Sequence, residues 1–97
     1  MAIAIDVAGG VWIGDSGVSN AFEFTSPYTG GPAKSITAGL ANPNGVAVDA
    51  GGAVWIADTS GNAVVECLPP ASNATCSPVI SAAGALWIAV VPATVMP

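Results

Sequence analysis

Short runs of β-branched and aromatic residues alternate along most of the chain with breaks rich in Asp, Gly and Ser. Ile3-Ala4-Ile5 ends at Asp6 and a Gly-containing break, and Val11-Trp12-Ile13 ends at Asp15-Ser16-Gly17. Ala21-Phe22-Glu23-Phe24 comes next, and Lys34-Ser35-Ile36-Thr37 follows a Pro/Gly-rich stretch at 26–32. The pattern then restarts with Val46-Ala47-Val48, Val54-Trp55-Ile56 and Ala63-Val64-Val65-Glu66. Runs this short, bounded by turn formers, predict strands joined by tight turns. No helical spacing of useful length interrupts them, so the predicted class is all-β.

The restart is a repeat. Residues 3–24 align without a gap on residues 46–67, an offset of 43. Ala4, Asp6, Gly9, Val11, Trp12, Ile13, Asp15 and Glu23 recur as Ala47, Asp49, Gly52, Val54, Trp55, Ile56, Asp58 and Glu66. A third, degraded copy at 81–90 keeps Gly84, Trp87 and Ile88 at an offset of 32 from the second. That shorter interval implies the loss of about one strand before it. The expected organisation is a first unit at 1–41, a second at 42–77 and a degenerate third at 78–97. A period near 43 built from short strands predicts four-stranded antiparallel units in series.

The second copy, Asn42-Pro43-Asn44-Gly45-Val46-Ala47-Val48-Asp49-Ala50-Gly51-Gly52-Ala53-Val54-Trp55-Ile56-Ala57-Asp58-Thr59-Ser60-Gly61-Asn62-Ala63-Val64, resembles an NHL repeat. The first copy fits from Ile3 to Phe24 with Gly14 in place of the usual Ala, and the resemblance covers roughly two-thirds of the chain. It implies β-propeller blades, of which such rings usually hold about six. Two blades and a partial third leave a ring incomplete. The expectation is therefore a fragment of a longer propeller, or a unit that self-associates through its open blade edges. The same broad group includes streptogramin-lyase-like and gluconolactonase-like enzymes. The resemblance implies for the first a histidine base with a divalent metal, and for the second carboxylates and Asn drawn from several blades. No residue here matches either set.

Composition narrows the function classes. There are six carboxylates, one Lys, no Arg and no His, for a net charge of −5 over 97 residues. Nucleic-acid binding is disfavoured because phosphate neutralisation needs several basic groups. The uncharged run from Ala82 to Met96 is too short for a spanning helix, which needs about 20 apolar residues, so a buried strand is expected there. Met1 to Asp6 lacks the basic start of a secretory signal. Low charge, small polar residues and the Cys67/Cys76 pair nevertheless point to export.

Candidate chemistry is sparse. Gly14-Asp15-Ser16-Gly17 spells a serine-nucleophile loop, yet its counterpart replaces Ser16 by Thr59, and no His exists to serve as base. Asp6, Asp15, Asp49 and Asp58 are expected to cap turns, since a carboxylate there accepts nearby N–H groups. Trp12, Trp55 and Trp87 are expected to pack between blades, with sugar stacking as the alternative. Glu23 and Glu66 read as outward positions on half-exposed strands, with channel lining or cation binding as the alternative. Cys67 and Cys76 are either a disulfide between neighbouring strands or two thiols. The expected function is a non-enzymatic binding or structural scaffold with no cofactor. A protein, small-molecule or carbohydrate ligand fits that role, and the alternative is part of a lyase- or lactonase-type propeller.

Overall fold

The computed structural model describes residues 2–37, 39–71 and 75–81. Eight strands occur in these segments: β1 (Ala2–Ile5), β2 (Val11–Asp15), β3 (Asn20–Phe24), β4 (Lys34–Ile36), β5 (Pro43–Val48), β6 (Val54–Asp58), β7 (Ala63–Cys67) and β8 (Cys76–Ser81). They form two four-stranded antiparallel meanders, β1-β2-β3-β4 (sheet 1) and β5-β6-β7-β8 (sheet 2). The class is all-β, in two sheets with the same strand order.

The β1–β2 and β5–β6 turns are built alike. Asp6 N–H donates to Gly10 O and Gly9 N–H to Asp6 O; Asp49 N–H donates to Ala53 O and Gly52 N–H to Asp49 O. Gly9 and Gly52 take φ of 87° and 90°, the left-handed region that a side chain disfavours, which is why the break carries Gly at that position.

Register sorts the side chains by face, because directly opposed residues point the same way. Ala2, Gly14, Ala21 and Ile36 share one face of sheet 1 with Ala4, Trp12, Glu23 and Lys34. Ile3, Ile13 and Phe22, with Ile5, Val11 and Phe24, share the other. In sheet 2 the repeat-equivalent large residues are Val46, Ile56 and Val65 with Val48, Val54 and Cys67.

The core lies between the sheets and joins unlike faces. Its members are Trp12, Ala21 and Ile36 from the small-residue face of sheet 1, with Val46, Val54, Ile56, Val65 and Cys67 from the large-residue face of sheet 2. Leu40 and Ala71 close its rim. Burying an aliphatic side chain fully contributes about 1.5–3 kcal/mol, so Ile36, Val54 and Ile56 anchor the pairing. Gly14 explains one departure from the usual repeat. A Cβ there would stand 3.2 Å from Pro43 O, so glycine lets β5 lie close against β2.

Among the described residues one strand, β8, follows β7 and pairs with it from Cys67↔Cys76 to Ala63↔Ser81, whereas two strands, β4 and β5, stand between β3 and β6. Pro78 hides the strand from a propensity reading, and an edge position with a register shift between Val64 and Val65 accommodates it. Sheet 2 therefore runs past position 77 to Ser81. The remainder of the third copy, with Trp87 and the apolar run at 82–96, lies outside the described residues.

Candidate functional site

Asp6 and Asp49 do more than cap their turns. The Oδ1 of Asp6 accepts the N–H of Ala8 at 3.0 Å and of Gly10 at 2.8 Å, while its Oδ2 accepts the Trp12 indole N–H at 3.2 Å. The Oδ1 of Asp49 accepts Gly51 N–H at 2.9 Å and Ala53 N–H at 3.0 Å, and its Oδ2 accepts the Trp55 indole at 3.0 Å. One carboxylate thus fixes a turn and aims a tryptophan six residues on. The Trp55 hydrogen bond, helped by the backbone donors and opposed by partial burial, holds the Asp49 carboxyl below its usual value. Partial burial pushes Asp6 up, but Gly10, Trp12, Ala8 and the Glu23 carboxyl together bring it below the usual value.

Glu23 is not outward-facing. It is 9% exposed and sits on the sheet face that meets sheet 2, opposite Trp12 and Lys34. Its Oε2 and the Asp6 Oδ2 both border the open Cβ position of Gly10, so the two carboxyls lie side by side. Burial, countered by Lys34 but reinforced by the charge and hydrogen bond of Asp6, raises its pKa. Alternation along β3 assigns Glu23 to the same face as buried Ala21, a signal that its charge obscured in the sequence. Lys34 donates to the Pro70 carbonyl in the β7–β8 loop, so the chain's single cation also ties sheet 1 to sheet 2.

The second pair of aspartates diverges. Asp15 caps its own turn, accepting Gly17 N–H at 2.9 Å, and Ser16 lies in that turn. Asp58 instead is 1% exposed and reaches back across sequence. Its Oδ1 accepts Asn42 N–H at 2.6 Å, and both its oxygens stand 3.1 Å from Ala41 N. Thr59 N–H donates to Asn42 O, and Asn44 Nδ2 donates to Thr59 Oγ1 at 2.9 Å. Asp58 therefore clamps the lead-in to β5 instead of serving as a simple turn cap. The Asn-Pro-x-Gly lead-in and the distant Asp of the repeat pattern are one hydrogen-bonded unit.

Trp12 is 2% exposed within the core, whereas Trp55 is half-buried on the opposite face of sheet 2 from Ile56. Cys67 and Cys76 form a disulfide across opposed positions of β7 and β8.

The chemical capacity of this arrangement is narrow. Among the described residues no three His, Cys, Asp or Glu side chains converge to hold a metal. The chain has no His, and Asp6, Asp49 and Asp58 already accept structural N–H groups, so these residues do not fit a lyase- or lactonase-type metal centre. A cleft of 310 Å³ lies beside Gly61, Asn62 and Pro78, and one of 150 Å³ beside Gly39, Asp58 and Ser77. Asp6, Glu23 and Lys34 line neither. No described helix is long and apolar enough to cross a membrane.

Residues 40–67 match the family model described as NHL repeat. The stretch from Asn42 to Val64, which resembles that repeat, falls inside the match, and it takes in the Asp58 clamp, β5, the Asp49 turn and β6. No curated protein matches the chain.

Proposed function

We propose that the chain is a non-catalytic scaffold of β-propeller type, two blades whose open face on sheet 1 receives a further blade of the same kind. One observation carries the reading. Ile3 is 67% exposed, while its repeat equivalent Val46 is 6% exposed against sheet 1, and Ile5 beside it is 69% exposed. Val11, Ile13, Phe22 and Phe24 extend this apolar face of sheet 1, with Asp15 and Asn20 at its end, and none of the four belongs to the core. An apolar sheet face of this extent on a soluble chain marks a contact surface. Its chemistry is that of the face of sheet 2 that packs on small residues, so the fitting occupant is the small-residue face of another such sheet.

The hydrogen-bond roles of Asp6, Asp49 and Asp58 support a structural function for the carboxylates, and no residue favours the enzyme reading. A protein or a small carbohydrate-like molecule is the proposed class of ligand for the completed scaffold. Export is the proposed setting, supported by the disulfide. Light scattering on the purified chain tests the open face, since another copy is the sole sheet on offer. The expected mass exceeds 9.4 kDa and returns to 9.4 kDa in Ile5→Lys with unchanged β-sheet circular dichroism. A monomeric wild-type chain contradicts the proposal.

A further inference from the structure

The two copies differ at one small position that changes their acid chemistry. Gly10 aligns with Ala53, and a Cβ at Gly10 would collide with Glu23 Oε2 and Asp6 Oδ2. Sheet 1 therefore has room for two carboxyl groups to meet beside the Trp12 indole. In sheet 2 the Ala53 methyl occupies the corresponding space, and the turn carboxylate of Asp49 takes only turn N–H groups and the Trp55 indole among the bonds that shift it. The difference is specific to one blade, unlike the Asp–Trp pairing, which recurs in both.

We propose that Asp6 and Glu23 form a one-proton latch: the protonated Glu23 carboxyl donates to the Asp6 carboxylate, tying the β1–β2 turn to β3, and release of that proton to solvent unfastens the turn. The geometry gives the latch a defined setting. Glu23 lies on β3 directly opposite Trp12 on β2, and Asp6 already holds the Trp12 indole. Sheet 2 turns the non-titrating Val46, Val54, Ile56, Val65 and Cys67 to this face, together with Asp58 of β6, whose carboxylate is engaged by the Ala41 and Asn42 N–H groups. Lys34, opposite Glu23 on β4, is the facing cation, and it is engaged by the Pro70 carbonyl. Tyr28 donates its hydroxyl to Gly9 O at 2.8 Å and so braces the same turn from the β3–β4 loop. Once both carboxyls are ionised, two like charges face each other, and the Lys34 charge that favours ionised Glu23 is shared with the Pro70 carbonyl.

The direction of the pH response follows. Glu23 has a raised value in the folded chain, so its contribution is complete below the unfolded value and is lost as pH rises through the folded one. Asp6 has a lowered value, so its contribution is present above the unfolded value and is lost as pH falls through the folded one. The latch is closed in the mildly acidic interval between them and opens toward neutral and alkaline pH.

The two indoles provide the test within one molecule. Nitrogen-15 spectra of the full chain, recorded from mildly acidic to mildly alkaline pH, follow the Trp12 and Trp55 Nε1–H resonances, assigned among the three indoles with Trp12→Phe and Trp55→Phe. The Trp12 resonance is expected to titrate with a midpoint above the ordinary glutamate range, while the Trp55 resonance stays flat over that interval. Glu23→Gln keeps a hydrogen-bond donor toward Asp6 but has no proton to lose, so it is expected to flatten the Trp12 curve. A flat wild-type Trp12 resonance, or Trp12 and Trp55 moving together, overturns the latch. If Glu23→Gln fails to fold, the wild-type contrast between the two indoles decides alone.

Discussion

Replacing Asp58 with Ala is expected to cost far more than the same change at Asp15, although the two positions are repeat-equivalent. Asp58 is 1% exposed and accepts from the backbone N–H groups of Ala41 and Asn42. Its removal strands two partly buried donors, each worth about 1–3 kcal/mol, so the loss is about 2–6 kcal/mol. A chain of this size has a total stability of about 5–15 kcal/mol, which makes the change severe. Asp15 accepts one exposed N–H, from Gly17, and its loss amounts to about 0.5–1.5 kcal/mol. Asp58→Asn retains one acceptor oxygen and should fall between them. Urea denaturation followed by circular dichroism measures all three, with a slope of about 1–3 kcal/mol per molar urea. The reasoning is refuted if Asp58→Ala and Asp15→Ala destabilise equally.

Trp12→Ala should cost about 3–5 kcal/mol, because it empties a core site, whereas half-buried Trp55 should cost visibly less in the same denaturation assay. Equal losses would mean that the two tryptophans share one environment. Reducing the Cys67–Cys76 bridge with dithiothreitol should lower stability by about 2–3 kcal/mol, the loop-closure value for nine residues of separation. An unchanged urea midpoint after complete reduction would contradict that contribution.

The strands were legible in the sequence where residue type and neighbours agreed. Val11-Trp12-Ile13 and Val54-Trp55-Ile56 are β-branched and aromatic, lie between Gly- and Asp-bearing turns, and mark β2 and β6. β8 was not legible, because Pro78 argues against a strand that pairing with β7 across a register shift permits. The turn role of Asp6 and Asp49 could be read from an Asp followed by Gly, since a carboxylate reaches its own turn. The indole contacts depend on where β2 and β6 return across the sheet, which residue order alone does not state. Asp58 is the sharper case. Its partners lie 16 and 17 residues earlier, and the repeat alignment assigned it the local role that Asp15 has. The charge of Glu23 suggests an outward position, whereas alternation along β3 places it inward, where Gly10 leaves room and Asp6 offers a neighbouring carboxyl.

Methyl–methyl nuclear Overhauser contacts report whether the two sheets stack. Cross-peaks are expected from Ile36 and Ala21 of sheet 1 to Val46, Ile56 and Val65 of sheet 2, because all five are buried in one cluster. None is expected from Ile3 or Ile5 to those sheet 2 methyls within one chain, since both are exposed on the other face. Contacts from Ile3 and Ile5 to Ile56, with none from Ile36, would contradict this stacking.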